Sequence, residues 1–156
     1  MAKHSAGLLL YRLRGTDVEV LIGHPGGPFW ASKDDGAWSI PKGEYGADED
    51  PWAAAQREFS EEIGLAPPVG PRIDLGAVKQ AGGKMVTVFA VHGDLDVTGA
   101  HSNTFTLRWP PRSPNLREFP EVDRVSWFTV AQARIKLLAG QREFLDRLLA
   151  SSGQLH

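Results

Sequence analysis

The stretch GEYGADEDPWAAAQREFSEEIGL, residues 43–65, decides how the chain is interpreted. Glu58, Glu61 and Glu62 fall within five residues, and helical spacings of three and four place the first next to the other two. Like charges at these spacings destabilise an isolated helix. Arg57 lies four residues before Glu61, so we expect it to pair with that side chain and fix its rotamer. The crowding makes sense chiefly if a cation lies between the carboxylates.

The same stretch predicts a helix with clear ends. Asp50 suits the N-cap and Pro51 the first helical position. Gly64 suits the left-handed position after a helix, so the helix should end at about Ile63. Apolar side chains recur at helical spacing and predict a buried face, with the glutamates on its flank. These side chains are Trp52, Ala55, Phe59 and Ile63.

Carboxylate oxygens are the ligands that Mg²⁺ and Mn²⁺ prefer, and such ions also bind substrate phosphates. They neutralise the charge of a pyrophosphate and can lower the pKa of a water, which a remaining carboxylate can deprotonate. Gly43 and Gly46 would let the preceding loop bend against this side of the helix. A glutamate-rich helix is more often a solvated surface. The fixed spacing with Gly43, Glu49 and Gly64 favours the catalytic interpretation.

Written out, the pattern is Gly43, five residues, Glu49, seven residues, and then Arg-Glu-Phe-Ser-Glu-Glu-Ile-Gly-Leu at 57–65. It resembles the signature of the Nudix hydrolase family and matches every fixed position. The resemblance covers 23 of the 156 residues. It implies an α/β fold, a Nudix-type α/β/α sandwich with a mixed central sheet, formed by a single domain over residues 1–156. It also implies metal-dependent hydrolysis of a pyrophosphate linkage, with Mg²⁺ or Mn²⁺ as the cofactor.

The resemblance also implies roles for individual residues. The main metal ligands would be Glu58, Glu61 and Glu62, completed by a backbone carbonyl of Lys42 or Gly43. Two further residues, Glu49 and Arg57, would orient the ligands or the water. The general base would be Glu58 or Glu61, or an acid on a later loop, as in some family members. The candidates there are Glu118 and Glu121, for which an ordinary exposed carboxylate is the alternative.

The substrate side has weaker signals. The segment WSIPKGE resembles the Pro-Lys-Gly sequence that leads into the signature in dinucleoside polyphosphate hydrolases, so Lys42 would contact a phosphate. Lys84 and Arg112 are further candidates for substrate binding, although exposed basic residues are common. His24 is a candidate contact for a phosphate or a water. Other side chains could line the expected substrate cleft or stack on a base; the alternatives are an exposed basic side chain or an aromatic side chain packed in the core. They are Lys79, Arg108, Phe29, Trp30, Trp38 and Tyr45.

Elsewhere the patterns predict strands, two further helices and loops. Residues 110–123 contain four prolines and predict an irregular loop. Thr129 and Gln132 form a capping box that opens a helix to about Leu138, and Gly140 separates it from a second amphipathic helix. The expected strands are residues 5–12, 18–25, 37–40, 73–80, 84–93, 101–109 and 124–128, with loops at 26–36 and 41–50.

Composition limits the classes of function. The formal net charge of −2 gives no global attraction to nucleic acid or to an anionic membrane. The absence of cysteine excludes disulfides and thiolate metal sites. The apolar run at 6–11 is too short for a membrane span and poor as a signal peptide, so a cytoplasmic location is expected. The expected partner is a small nucleotide; the oligomeric state is not readable.

Several functions share this signature. The subgroup that the flanking phrases resemble favours a dinucleoside polyphosphate as the substrate. The alternatives are a nucleoside triphosphate pyrophosphatase that removes damaged nucleotides and an RNA 5′-pyrophosphohydrolase, which the charge balance does not support. A nucleotide-binding sensor without catalysis would be expected to carry a broken signature, and this one is unbroken.

Overall fold

A computed structural model describes residues 3–152 of the chain, so both ends of the expected 1–156 domain lie outside the described residues. Two 3₁₀ turns, Ala81–Gly83 and Ala139–Gln141, accompany the regular elements. The elements are β1 (His4–Arg14), β2 (Asp17–Pro25), β3 (Lys42–Glu44), α1 (Pro51–Ile63), β4 (Arg72–Lys79), β5 (Met85–His92), β6 (Thr104–Arg108), β7 (Leu116–Pro120), β8 (Val122–Thr129), α2 (Val130–Lys136) and α3 (Arg142–Ser152).

Six strands form a mixed sheet in the order β4-β5-β1-β2-β8, with β3 added beside β1. β1 pairs with β5 in parallel, and every other pairing of this sheet is antiparallel. One edge of β1 is shared, because β3 pairs with Ser5–Gly7 whereas β2 pairs with Tyr11–Arg14. This division brings β3 against the start of β1 and directly under α1.

The two faces of the sheet carry separate apolar cores because alternate side chains of a strand point to opposite faces. Leu8 and Leu10 of β1 pack with Phe59 and Ile63 of α1. Leu9 packs on the other face, with side chains of α2 and α3. The expected α/β/α sandwich with a mixed central sheet is therefore confirmed. No helix within residues 3–152 is long and apolar enough to cross a membrane.

The helix α1 has the expected ends. The Asp50 carboxylate accepts a hydrogen bond from the Ala53 amide at 3.1 Å, Pro51 opens the helix, and Gly64 closes it in the left-handed conformation with φ 77°. Burying a large apolar side chain such as Phe59 contributes roughly 1.5–3 kcal/mol. The helix is thus fixed on the sheet, and its glutamate flank is held at one end of the sandwich.

Three local predictions were wrong. The irregular loop expected over 110–123 contains β7, which pairs with β6 in a separate two-stranded sheet. Residues 37–40 form no strand and make two isolated bridges, from Ser39 to Gly23 and from Trp38 to Leu137. Residues 42–44, expected in a loop, form β3. Short segments and segments with prolines show no strand pattern in the sequence, because these strands form only through pairing with a partner strand.

Candidate active site

Arg57 joins most of the carboxylates of the signature. Its Nε and Nη2 donate to the two oxygens of Glu49 at 2.8 and 2.9 Å. Its Nη1 donates to Glu58 at 2.9 Å and to Glu61 at 3.2 Å. The bidentate pair fixes the guanidinium plane, and the remaining nitrogen then orients the other two side chains. The expected pairing with Glu61 is present, and the pairings with Glu49 and Glu58 extend it.

These contacts also shift the ionisation of the partners. The hydrogen bonds from Arg57 hold the pKa of Glu49 below its ordinary value, so Glu49 stays ionised at neutral pH. The same bonds, chiefly those with Glu49, raise the pKa of Arg57. The pKa of Glu58 is raised, first by burial and also by the charges of Glu61 and Glu121, although Arg57 opposes this.

Gly43 makes room for Glu58. It lies in the middle of β3, and a Cβ atom built on it would overlap the Glu58 carboxyl group. Its φ is not in the left-handed region, so the requirement for glycine comes from space alone. By contrast, a Cβ at Gly46 would meet nothing within 4 Å. The glycine of the signature therefore lets a strand backbone and a carboxylate approach each other closely.

Glu62 lies on the inner side of the cluster. Its Oε2 accepts a long hydrogen bond, 3.4 Å, from the Lys42 amide. Burial raises the pKa of Glu62 to about 8, and the charges of Glu58 and Glu121 act in the same direction, while Lys42 opposes them. Burial and neighbouring negative charge thus both disfavour the ionised forms of Glu58 and Glu62.

A divalent cation would compensate for the negative charge at Glu58 and Glu62. Within residues 3–152, no three Asp, Glu or His side chains already converge as a ready ligand set. Arg57 holds Glu58 and Glu61, and the Lys42 amide holds Glu62. The donors are nevertheless hard oxygens on one side of α1, the type that Mg²⁺ and Mn²⁺ prefer. Burial and nearby carboxylates raise the pKa of Glu58 and Glu62, and a bound cation would favour their ionised forms.

Two of the predicted phosphate-binding residues lie together beside this cluster. Lys42 is partly buried, and its pKa is lowered, first by burial and then by the positive charge of Lys84. Lys84 forms an ion pair with Glu44 at 3.5 Å. Negative charge from Glu62, Glu58 and Glu44 supports the charged form of Lys42. No sequence pattern indicated that Lys42 and Lys84 are neighbours. They come together because β3, which begins at Lys42, pairs with β1, and β1 pairs with β5, which Lys84 precedes.

The remaining basic candidates lie elsewhere. Lys79 is exposed at the end of β4, opposite Met85. Arg108 donates to the Ser113 carbonyl at 3.0 Å, in the connection between β6 and β7. Arg112 lies in that same connection, exposed, with φ 67°. The structure therefore groups Lys42 and Lys84 with the glutamates and places Arg112 on the hairpin of β6 and β7.

The two later acids differ in position. The charge of Glu121 raises the pKa of both Glu58 and Glu62, so it lies in their electrostatic neighbourhood. Its amide donates to the Asn103 carbonyl and its carbonyl accepts from Gly26, both at 2.9 Å. Glu118 is exposed in β7, opposite Thr106 of β6. Of the two, the structure brings Glu121 to the cluster.

The prediction that His24 contacts a phosphate or a water is wrong. Its side chain is fully buried, and both ring nitrogens have protein partners: Nδ1 lies 2.7 Å from Asp123 Oδ1, and Nε2 donates to the Lys33 carbonyl at 2.6 Å. His24 therefore holds the loop after β2 to the start of β8. Asp123 is 99 residues away in sequence, so no local pattern could have revealed the pair.

The aromatic candidates divide in the same way. Trp38 is buried in the core and donates to Asp34 at 2.7 Å, so it cannot stack on a base. Tyr45 packs partly buried against the core below α1. The Lys33 ammonium lies 5.5 Å from the ring centre of Trp30. Phe29 is 64% exposed and contacts Trp109, a residue that the sequence did not single out as a candidate.

Comparisons with known proteins agree with this fold. The model of the NUDIX domain family matches residues 3–148. No curated protein matches the chain. Among solved structures, the chain is similar to a binary complex of the C. elegans Ap4A hydrolase, with 20% identity, TM-score 0.64, and coverage of 96% of this chain and 98% of that one.

Two further structures show the same fold. The NUDIX domain of Shewanella oneidensis NrtR, complexed with ADP ribose, is 14% identical, with TM-score 0.66 and coverage of 100% of this chain and 90% of that chain. The MutT protein from Methanosarcina mazei Go1 is 20% identical, with TM-score 0.62 and coverage of 97% and 95%. At such identities the structures support the fold.

Proposed function

The chain belongs to the NUDIX domain family and is a Nudix pyrophosphohydrolase, and from that premise we propose that it hydrolyses a dinucleoside polyphosphate. More broadly, the proposed substrate is a nucleoside diphosphate linked to another group. One observation carries the proposal of the site: the Glu58 carboxyl group occupies the space left free by Gly43, and Arg57 orients both Glu58 and Glu61. We propose that residues 1–156 form one such domain.

In the proposed mechanism, Glu58, Glu61 and Glu62 would hold Mg²⁺ or Mn²⁺ together with a carbonyl of Lys42 or Gly43. When bound, the cation neutralises phosphate charge and makes a water more acidic. The protein's own groups do the remaining work. Lys42 and Lys84 bind phosphate oxygens. Arg57, fixed by Glu49, keeps two of the glutamates in position.

The proton of the attacking water passes to a carboxylate of the cluster, and Glu58 or Glu61 is the proposed general base. Both side chains accept from the same Arg57 nitrogen, so their oxygens are fixed before substrate binds. The water then attacks phosphorus in line with the leaving phosphate, one P–O bond forming as the anhydride P–O bond breaks. Glu121 is the proposed additional acid at the edge of the site.

The choice of substrate is supported by the Pro-Lys-Gly sequence around Lys42 and by the likeness to the C. elegans Ap4A hydrolase. A nucleoside triphosphate pyrophosphatase is the second candidate. A panel of diadenosine polyphosphates, nucleoside triphosphates, oxidised deoxynucleoside triphosphates, ADP-ribose and capped RNA would separate them. Preference for an oxidised deoxynucleoside triphosphate over every dinucleotide would overturn the substrate proposal.

The reaction itself is tested with Glu61→Gln in the presence and absence of Mg²⁺. We expect turnover of the wild type to require the metal and the substitution to reduce kcat by about 10²- to 10⁴-fold, the range for removal of an acid–base group. Glu143→Gln is the matched control, because Glu143 pairs with Arg147 at helical spacing on α3, across the sheet. Absence of metal-dependent turnover on the whole panel would contradict the enzymatic proposal.

A further inference from the structure

The hairpin of β6 and β7 has two unlike faces. Phe105, Leu107 and Phe119 are partly buried on one face, whereas Arg108 and Leu116, opposite each other in register, are exposed on the other. We call the first the ring face. Since β6 and β7 pair only with each other, the hairpin is no part of the central sheet.

The loop after β2 runs along the ring face. A Cβ at Gly26 would overlap the Pro120 carbonyl, and one at Gly27 would lie 2.8 Å from the Phe105 ring. Further out, the rings of Phe29 and Trp109 meet edge to face, with centroids 5.7 Å apart and planes at 76°. Two rings at this angle form an open corner, and Phe29 is 64% exposed there.

The pair of rings, rather than exposure alone, supports binding, since Leu116 is as exposed as Phe29 but belongs to no pair of rings. Contact with Trp109 covers only part of the Phe29 ring. Each ring of the corner presents a flat apolar surface to a third ring. Base–aromatic stacking uses such a surface and contributes about 1–3 kcal/mol per base, which corresponds to roughly 5- to 150-fold in affinity.

The charge of the hairpin suits an anionic ligand. Residues 104–120 carry three arginines and one glutamate, although the whole chain has a formal charge of −2. On the ring face, the Arg117 guanidinium lies 5.7 Å from the centre of the Phe119 ring. Arginine at such a site binds phosphate oxygens and stacks on rings. The hairpin therefore combines rings with positive charge, beside an acidic helix flank.

The base of the hairpin is attached to the glutamate cluster. The Asn103 amide donates to the Glu61 carbonyl at 2.9 Å, and Glu121 follows β7 directly. Trp109 lies just past the outer end of β6, so roughly 17 Å of extended chain separates it from Thr104 at the base. This separation suits a ligand whose base and cleaved linkage are joined by several phosphates.

We propose that Phe29 and Trp109 bind the nucleobase of the nucleotide whose phosphates reach the glutamate cluster, with Arg117 binding the phosphates in between. The inference rests on the proposed function for its substrate class. It assigns the base to the hairpin and makes Trp109 a determinant of specificity. A purely structural ring pair, which only holds the loop to the hairpin, would leave ligand binding unchanged on substitution to leucine.

The test measures binding rather than turnover. Isothermal titration of the Glu61→Gln protein with diadenosine tetraphosphate, and separately with inorganic tripolyphosphate, compares ligands with and without a base. Adding Phe29→Leu or Trp109→Leu should weaken binding of the dinucleotide roughly tenfold and leave tripolyphosphate within about twofold. Trp109→Phe keeps a ring and should retain most of the affinity.

Leu116→Ala is the matched control, because Leu116 is 65% exposed on the opposite face of the same hairpin. Arg117→Gln should weaken both ligands, whereas Arg108→Gln, on the opposite face, should weaken neither. Unchanged midpoints of thermal unfolding show that the leucine variants are folded. Equal affinity of wild-type and leucine variants for the dinucleotide would overturn the inference. If the Glu61→Gln protein binds the dinucleotide but the wild type does not hydrolyse it, the proposed function fails and the assignment of the base to the hairpin stands.

Discussion

The glutamate flank of α1 and the hairpin of β6 and β7 meet at Glu121 and are built differently. The flank lies on a helix whose other side is buried in the core, and Arg57 donates hydrogen bonds to two of its three carboxylates, Glu58 and Glu61. The hairpin is a two-stranded sheet attached at its base and along the loop at Gly26 and Gly27. Chemistry needs fixed oxygens, whereas recognition of a base needs only rings at a suitable place. The following substitutions test this contrast.

The largest effect is expected from Gly43→Ala. The added Cβ would overlap the Glu58 carboxyl group, and a displacement of about 1 Å at a catalytic group can cost on the order of 10²-fold in rate. We therefore expect kcat to fall by about 10²-fold while the KM for the dinucleotide changes little. Steady-state kinetics at saturating Mg²⁺ measures both values. Gly46→Ala, at which the new atom meets nothing, should behave as the wild type; equal rates for the two variants would refute the spatial argument.

A smaller effect is expected from Arg57→Lys. Lysine keeps the charge but has no planar fork, so it cannot bind Glu49 through two nitrogens while a third orients Glu58 and Glu61. We expect kcat to fall about tenfold, with an unfolding midpoint close to that of the wild type, since exposed ion pairs add little stability. Arg147→Lys makes the same replacement in the pair with Glu143 on α3, across the sheet, and should leave kcat unchanged. Full activity of Arg57→Lys would mean that charge alone suffices.

The smallest effect is expected at the junction of the two regions. Glu121→Gln removes a negative charge that acts on Glu58 and Glu62, so it should raise the Mg²⁺ concentration for half-maximal activity severalfold, an order-of-magnitude expectation from screened charges. Titrating activity against Mg²⁺ checks this. Glu118→Gln, on an exposed position of β7, should not change that concentration. An equal change in both variants would show that the hairpin acts through its overall charge.

The sequence predicted the glutamate flank well because its determinants are local. Asp50, Pro51 and Gly64 mark the helix ends within fifteen residues, and the pairing of Arg57 with Glu61 follows from helical spacing. A fixed pattern of residues then resembles one family. The close approach of the Gly43 backbone to the Glu58 carboxyl group could not be predicted in the same way, because it depends on the pairing of β3 with β1.

The hairpin and the loop beside it were predicted poorly because their determinants are distant in sequence. The contact of Phe29 with Trp109 spans eighty residues, and that of His24 with Asp123 spans 99. The prolines in residues 110–123 predicted an irregular loop, yet β7 forms there because it pairs with β6. Periodicity reports which side of a strand is apolar and says nothing about which loop covers it.

The carboxyl end of α1 affects the charge around Glu61 and Glu62. Peptide dipoles leave partial negative charge at the carboxyl end of a helix, equivalent to about half an electron charge. Glu61 and Glu62 lie in that last turn, where anions are disfavoured, and the amides of His101 and Asn103 cap the free carbonyls of Ile63 and Glu61 at 2.8 and 2.9 Å. The segment that leads into the hairpin thus offsets part of this charge. Loosening it would deepen the negative potential at the glutamates, so the attraction for cations depends on how firmly that segment is seated.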